Sequence, residues 1–231
     1  ITTISPKSYL KNTWLNTPEV TQEGGSRLLE TNKIYQGDVL KVLKTFPDES
    51  IHCCVTSPPY WGLRDYGVEG QLGLEQTPEE YVANMVQVFH EVKRVLKSDG
   101  TLWLNLGDSY ANNAQAGDKV FGNPEFNKNR PSRQSTKTVK KVVPVGLKPK
   151  DLVGIPWMVA FALRADGWYL RQDIIWHKPN PLPESVKDRC TKAHEYIFLL
   201  SKSRKYYYDN EAIKETAKNA NKTISLGEKS F

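Results

Sequence analysis

Cysteine is scarce in this chain: Cys53, Cys54 and Cys190 are the three among 231 residues. The number is odd and no pair has CxxC spacing, which excludes a dense disulfide framework and the common zinc and redox motifs. A reducing, cytoplasmic setting is the expectation. No eighteen uncharged apolar residues run together, and the opening ITTISPKSYLKNTW lacks an apolar core of signal length, so no helical membrane span or leader is legible and no membrane partner is expected. His177 and His194 have no ligand constellation around them and read as structural, so no metal is expected. No segment repeats, which excludes a solenoid. Acidic residues are the minority charge, 26 against 32 Lys plus Arg, for a net charge of +6; this tilts toward a polyanionic partner without requiring one. The chain starts at Ile1 rather than Met and runs out in the polar KNANKTISLGEKSF, which suggests part of a longer polypeptide.

What is present is enough for one α/β domain, with 39% apolar and 10% aromatic residues. Residues 1–32 read as a polar arm. The stretch KIYQGDVLKVLKTFPDESIHCCVTS predicts a strand at Ile34 to Gln36, a turn at Gly37, a short helix with Val39, Leu40, Val42 and Leu43, and a buried strand from Ile51 to Val55. Next comes the clearest helix, TPEEYVANMVQVFHEVKRVLKSDG, with Thr77 as N-cap, Pro78 at the first position and Glu80 completing a capping box. Val82, Val86, Phe89 and Leu96 carry its helical spacing, with Tyr81, Met85, Val88, Val92 and Val95 widening the stripe, and Gly100 is the expected stop. A buried strand, Thr101 to Leu106, repeats the strand–helix–strand unit.

Residues 111–150 turn polar and basic. They read as a long mobile loop whose Lys119, Lys128, Arg130, Arg133, Lys137, Lys140, Lys141, Lys148 and Lys150 either track phosphates or form a solvated insert. A helix from Leu152 to Ala165 and the strand WYLRQDIIW follow. The segments EYIFLLS and YYY, joined by KSRK, predict an antiparallel hairpin on an otherwise mostly parallel sheet. Residues 33–110 and 151–209 form the expected catalytic domain, and 210–231 a polar segment leading out of it.

Ser57-Pro58-Pro59-Tyr60 stands where the second strand ends, the position at which open α/β sheets place ligands. Taken alone it fits a rigid turn with a surface tyrosine equally well. It resembles the catalytic motif of the exocyclic-amino DNA methyltransferases, which carry Ser, Asp or Asn, then Pro-Pro, then an aromatic. GDVLKVLKTFPDESIHCCVTSPPY, GTLWLNLGD, GWYLRQDIIWHKPNPLPES and HEYIFLLSKSRKYYYD are similar to successive segments of that family in the same order. The resemblance implies a Rossmann-like fold with helices on both faces, S-adenosylmethionine as methyl donor, and double-stranded DNA as partner. It also admits a homodimer and a cognate restriction enzyme. Ser in the first position is the form most frequent among cytosine-N4 members; adenine N6 is the alternative, and a split or DNA-binding portion without transfer is another. A related Asn-Pro-Pro-Tyr motif serves protein glutamine methylation, against which Ser57 and the basic loop argue.

The chemistry accounts for these residue types independently. An exocyclic amino nitrogen has its lone pair delocalised into the base and becomes nucleophilic when fixed acceptors draw on its N–H bonds. Ser57 Oγ is one acceptor and the Pro58 carbonyl the other, with Pro58 and Pro59 lacking competing N–H donors. Tyr60 is expected to stack on a base rotated out of the duplex. A thiolate nucleophile, as cytosine-C5 methylation needs, is not required, and Cys53 and Cys54 read as small core residues.

On the cofactor side the resemblance points to Gly37 and Asp38, with Ser57 adjacent. Asp38 serves equally well as a helix N-cap. On the DNA side Arg64 and Trp61 are candidates, Arg64 against an ion pair with Asp65 and Trp61 as pocket wall or loop core. Lys178 and Asn180 contact the target strand or simply belong to a rigid proline loop. Asp108 lines the pocket or caps SYANN. The family's glycine-rich cofactor loop, similar to Phe-x-Gly-x-Gly, is not found in the sequence. That fits the permuted family order in which this loop follows the catalytic half.

Overall fold

The computed structural model describes residues 29–111 and 143–215. In chain order these hold α1 (Val39–Lys44), β1 (Ile51–Thr56), α2 (Pro78–Val95), β2 (Leu96–Leu106), α3 (Ile155–Ala165), β3 (Tyr169–His177) and β4 (His194–Ser201). Most of the N-terminal arm, most of the basic 111–150 segment and the end of the 210–231 segment lie outside the described residues.

The four strands form one sheet in the order β1-β2-β4-β3. β1 and β2 are parallel, while β4 runs antiparallel to both β2 and β3. Three strands therefore share a direction and β4 is inserted against it. The parallel pair is joined through α2, as a strand–helix–strand unit requires. On one face Leu102, Leu104, Leu106, Phe198 and Leu200 form a single core with Tyr81, Met85 and Phe89 of α2 and Val159 and Leu163 of α3. Trp157 of α3 packs edge-on against Phe198 at 5.1 Å. Helices were expected on both faces; among the described residues α2 and α3 cover one, and Val55 and Trp176 stay exposed on the other.

The helices start where local chemistry places them. Thr77 accepts from Glu80 N at 3.1 Å, while the Glu80 carboxylate turns back to Gln76 N at 3.1 Å, one residue before the cap that a capping box would use. Along α2 the fully packed stripe is Tyr81, Met85, Val88, Phe89, Val92 and Val95, so the residues expected to widen the stripe are its centre and Val82 and Val86 flank it.

Four expectations change. The strand at Ile34–Gln36 does not form: Ile34 is 89% exposed, and the neighbouring Tyr35 packs edge-on against Phe46 at the end of the α1 segment. α2 stops at Val95, not Gly100, because Leu96 leaves the helix to pair with Ile51 and gives its carbonyl to Lys202 Nζ at 2.6 Å. Tyr206–Tyr208 form no hairpin with β4: β4 already has β2 on one edge and β3 on the other, and Tyr207 N donates instead to Asp99 O at 3.1 Å. Finally, Cys53 is exposed and Cys54 half-buried, because β1 is an edge strand of the described sheet. Among the described residues no helix is long and apolar enough to cross a membrane, and no metal-ligand cluster occurs.

Candidate active site

Because β1, β2 and β3 point the same way, their carboxyl ends meet on one edge of the sheet, and antiparallel β4 begins there. This edge collects Ser57 and Tyr60 after β1, Asn105 and Gly107 at the end of β2, Lys178 after β3, and Glu195 near the start of β4. It is where an open α/β sheet places a ligand.

Two prolines direct the backbone through the turn. Pro59 O accepts from the Tyr81 hydroxyl at 2.9 Å, which ties the motif to the middle of the core. Tyr81 is fully buried, and burial together with the nearby Glu75 charge pushes its phenol far up, so it stays a neutral donor. Among the described residues nothing donates to Pro58 O, the carbonyl expected to act as the second acceptor. Gly73 sits under the turn with a left-handed φ of +92°, and a β-carbon there would come within 2.9 Å of Tyr60 O. Glycine is thus demanded by both backbone and space.

Tyr60 is the hub of the site. Its hydroxyl donates to Asn105 Oδ1 at 2.7 Å, accepts from Ser57 Oγ at 3.2 Å, and lies 3.2 Å from Glu195 Oε2. The Asn105 amide is fixed by donation from Nδ2 to Tyr196 O at 3.1 Å. Glu195 Oε1 is ion-paired with Lys178, whose own N–H donates to Ala193 O at 2.8 Å. Burial pushes the Tyr60 phenol up to about 12; the Ser57 hydrogen bond works against this and the Glu195 charge reinforces it. Burial pushes the Glu195 carboxyl up, but the Lys178 hydrogen bond and charge outweigh it, helped by Tyr60 and Asn105, and the group ends below the ordinary range. At neutral pH the site holds a phenol and a carboxylate.

The structure therefore brings together Ser57, Pro58, Pro59 and Tyr60, and joins them to Lys178. The other sequence candidates fall elsewhere. Trp61 is 5% exposed and donates from Nε1 to Glu75 O at 3.0 Å, which places it in the loop core. Arg64 is exposed, and Asp65 closes its own turn onto Gly67 N at 2.7 Å rather than pairing with it. Asn180 is exposed. Asp38 is the α1 N-cap, accepting from Lys41 N at 3.0 Å, next to Gly37. Asp108 accepts from Ser109 N, the first residue of SYANN, at 2.9 Å, and the same carboxylate accepts from Gly154 N at 3.0 Å and Ile155 N at 3.1 Å, which starts α3, whose own N-cap is a glycine without a side chain to offer. The basic-loop cations within the described residues, Lys148 and Lys150, are paired with Asp151 and Asp188.

Asn105 and Glu195 were not picked from the sequence. Each is a polar residue inside or opening an apolar strand, LWLNL and HEYIFLL, and that interruption was the available signal. Burial raises the Cys54 thiol to about 11, so it is no thiolate and offers no covalent route.

The chain is 53% identical over 192 residues to the Type II methyltransferase M.Cfr9I of Citrobacter freundii, covering 82% of this chain and 61% of that protein. It is 51% identical over 197 residues to the Type II methyltransferase M.SmaI of Serratia marcescens, covering 85% of this chain and 65% of that protein. The chain thus spans less than two thirds of these relatives. Among solved structures, the PvuII DNA methyltransferase (cytosine-N4-specific) superimposes with a TM-score of 0.50 at 22% identity, over 76% of this chain and 50% of that one, a likeness of fold. A family profile described as "DNA methylase" matches residues 51–228. That span contains the Ser57–Tyr60 turn and every strand that frames it, and the chain belongs to the N6/N4 DNA methylase family.

Proposed function

We propose that this chain is the catalytic part of an S-adenosylmethionine-dependent DNA amino-methyltransferase that modifies a base rotated out of double-stranded DNA, cytosine N4 in preference to adenine N6. The single observation that carries the reading is the set of contacts around Tyr60 Oη: Ser57 Oγ at 3.2 Å on one side, and Asn105 Oδ1 at 2.7 Å and Glu195 Oε2 at 3.2 Å, both acceptors only, on the other. The one phenolic proton goes to an acceptor, so Ser57 Oγ donates to Tyr60 Oη and keeps its lone pairs for an incoming N–H. An amino group has two N–H donors to place, and the Pro58 carbonyl supplies the second acceptor. Such a pair draws the nitrogen toward a tetrahedral, nucleophilic geometry, and does so with groups set in place before substrate arrives. The relatives are Type II methyltransferases, which supports DNA as substrate and a restriction-modification setting, and the PvuII enzyme of like fold is cytosine-N4-specific.

S-adenosylmethionine, when bound, supplies an electrophilic methyl group. Of the described residues, Asp38 at the exposed α1 N-terminus fits the adenosyl end as an acceptor, and Ser57 lies at the strand end between donor and base. The chain contains no glycine-rich run that would let backbone close on the methionine end, so these residues form one side of the cofactor site. Arg64 and Asn180, exposed near the ends of β1 and β3, are available to DNA phosphates or bases.

The test is to incubate the intact protein with DNA and methyl-labelled cofactor and to separate the nucleosides. Label in 4-methylcytosine is the expected result; label in 6-methyladenine corrects the base, and label in 5-methylcytosine overturns the mechanism. Ser57→Ala should lower turnover by about 100-fold or more, as loss of a preorganised acceptor does elsewhere, while DNA affinity stays within about threefold.

A further inference from the structure

We infer that Glu195, clamped by Lys178, is a positioning residue for Ser57 and acts through the Tyr60 hydroxyl. The inference deepens the function proposed above and rests on it. A serine hydroxyl is a rotor that donates as readily as it accepts. Pointed at an amino group with its proton forward, it would repel the N–H it has to receive. Ser57 faces the right way because Tyr60 Oη takes its proton, and Tyr60 Oη can do so only while its own proton is directed elsewhere.

Two acceptors hold that proton on the far side: Asn105 Oδ1 at 2.7 Å and Glu195 Oε2 at 3.2 Å. Asn105 alone is neutral, and its amide is oriented by one bond to Tyr196 O. Glu195 adds a negative charge that cannot invert its role, since a carboxylate only accepts. Lys178 occupies Oε1 and so turns Oε2 toward the phenol. In this partly buried chain each hydrogen bond polarises the next, and the charge at one end strengthens the acceptor at the other. No proton need leave Tyr60 for this to work. Lys178 is thereby assigned to the site's own framework rather than to the DNA.

Glu195→Gln keeps the volume but removes the charge and offers an amide N–H that can invert the chain. With the intact protein, kcat should fall by about tenfold or more while KM for DNA and for cofactor stays within about threefold, the pattern of an interaction made in the transition state. Lys178→Arg should retain most of the turnover and Lys178→Met should not. In a Tyr60→Phe background Glu195→Gln should cost less than about twofold further, because the mediating hydroxyl is gone. Unchanged kcat in Glu195→Gln, a loss confined to KM, or full multiplication of the two losses in the double variant would overturn the inference. Wild-type protein that labels no exocyclic amino group overturns the functional reading and this one with it; wild-type labelling with an unimpaired Glu195→Gln overturns this one alone.

Discussion

The ring of Tyr60 lies directly against the backbone of Gly107: a β-carbon on Gly107 would stand 2.5 Å from Tyr60 Cε2 and 2.7 Å from Cδ2. Two segments 47 positions apart in sequence thus share one contact that has no spare room. It fixes the ring that carries the hydroxyl hub, and it makes Gly107 part of the site although it offers no side chain.

Gly107→Ala should therefore act on activity through Tyr60. The ring sits between the core and the Ser57–Asn105–Glu195 hydrogen bonds, so it cannot yield without breaking some of them. Overpacking of this kind costs about 1–3 kcal/mol, and displacement of the hub should lower methyl transfer by about tenfold or more. Thermal unfolding and turnover, measured on one preparation, check both halves; a variant with normal turnover would mean that the ring finds another seat.

Tyr81→Phe removes one oxygen from the centre of the core and leaves Pro59 O without its donor. Tyr81 is fully buried and the bond is 2.9 Å long, so the loss should cost about 1–2 kcal/mol. For a domain of this size that corresponds to a fall in Tm of roughly 2–4 °C per kcal/mol. Turnover should fall as well, because Pro59 is the anchored half of the turn that aims Pro58 O and Ser57.

Asp108 joins the end of β2 to the start of α3, and its removal should be felt in α3. Asp108→Ala removes the side-chain acceptor of Ser109 N, Gly154 N and Ile155 N and should destabilise by about 0.5–2 kcal/mol. Asp108→Asn keeps an acceptor and should recover most of that. Denaturant midpoints of the two variants decide the matter: equal losses would show that charge, not capping, is what counts.

How much of this was legible in the sequence depends on the range of the forces involved. The Thr77 cap and the Asp38 cap are local, and the residues that make them are within four positions of one another. The end of α2 was misjudged because it is set by Lys202 reaching Leu96 O across 106 positions. The fate of Tyr206–Tyr208 was misjudged because strand order, not strand propensity, decides which edges are free. In the site, the SPPY turn is contiguous and could be read; its partners Asn105 and Glu195 lie 45 and 135 positions from Tyr60 and become partners through the parallel β1–β2 pairing and the insertion of β4. For Lys178 the sequence offers a DNA contact or a rigid proline loop, and an isolated lysine there gives no hint that Glu195 faces it.

The Glu195–Lys178 pair also predicts how stability responds to acid. The Glu195 carboxyl has a folded-state value below its ordinary 4.5, with burial raising it and Lys178 lowering it by more. A carboxyl lowered on folding binds its proton less readily in the folded chain than in the unfolded one. Its contribution is therefore fully present above 4.5, declines as pH falls below that value, and is gone once pH drops through the lower folded-state value. Asp151, Asp188 and Glu184 are lowered too, by Lys148, Lys150 and Arg189, but these lie at the surface, where salt screens them. Raising the salt concentration should remove most of their share and leave that of the half-buried Glu195. Unfolding midpoints from pH 7 down to pH 3 at high salt should thus fall in the wild type and flatten in Glu195→Gln; an identical slope in both would mean that the carboxylate at the hub is not held by Lys178 in solution.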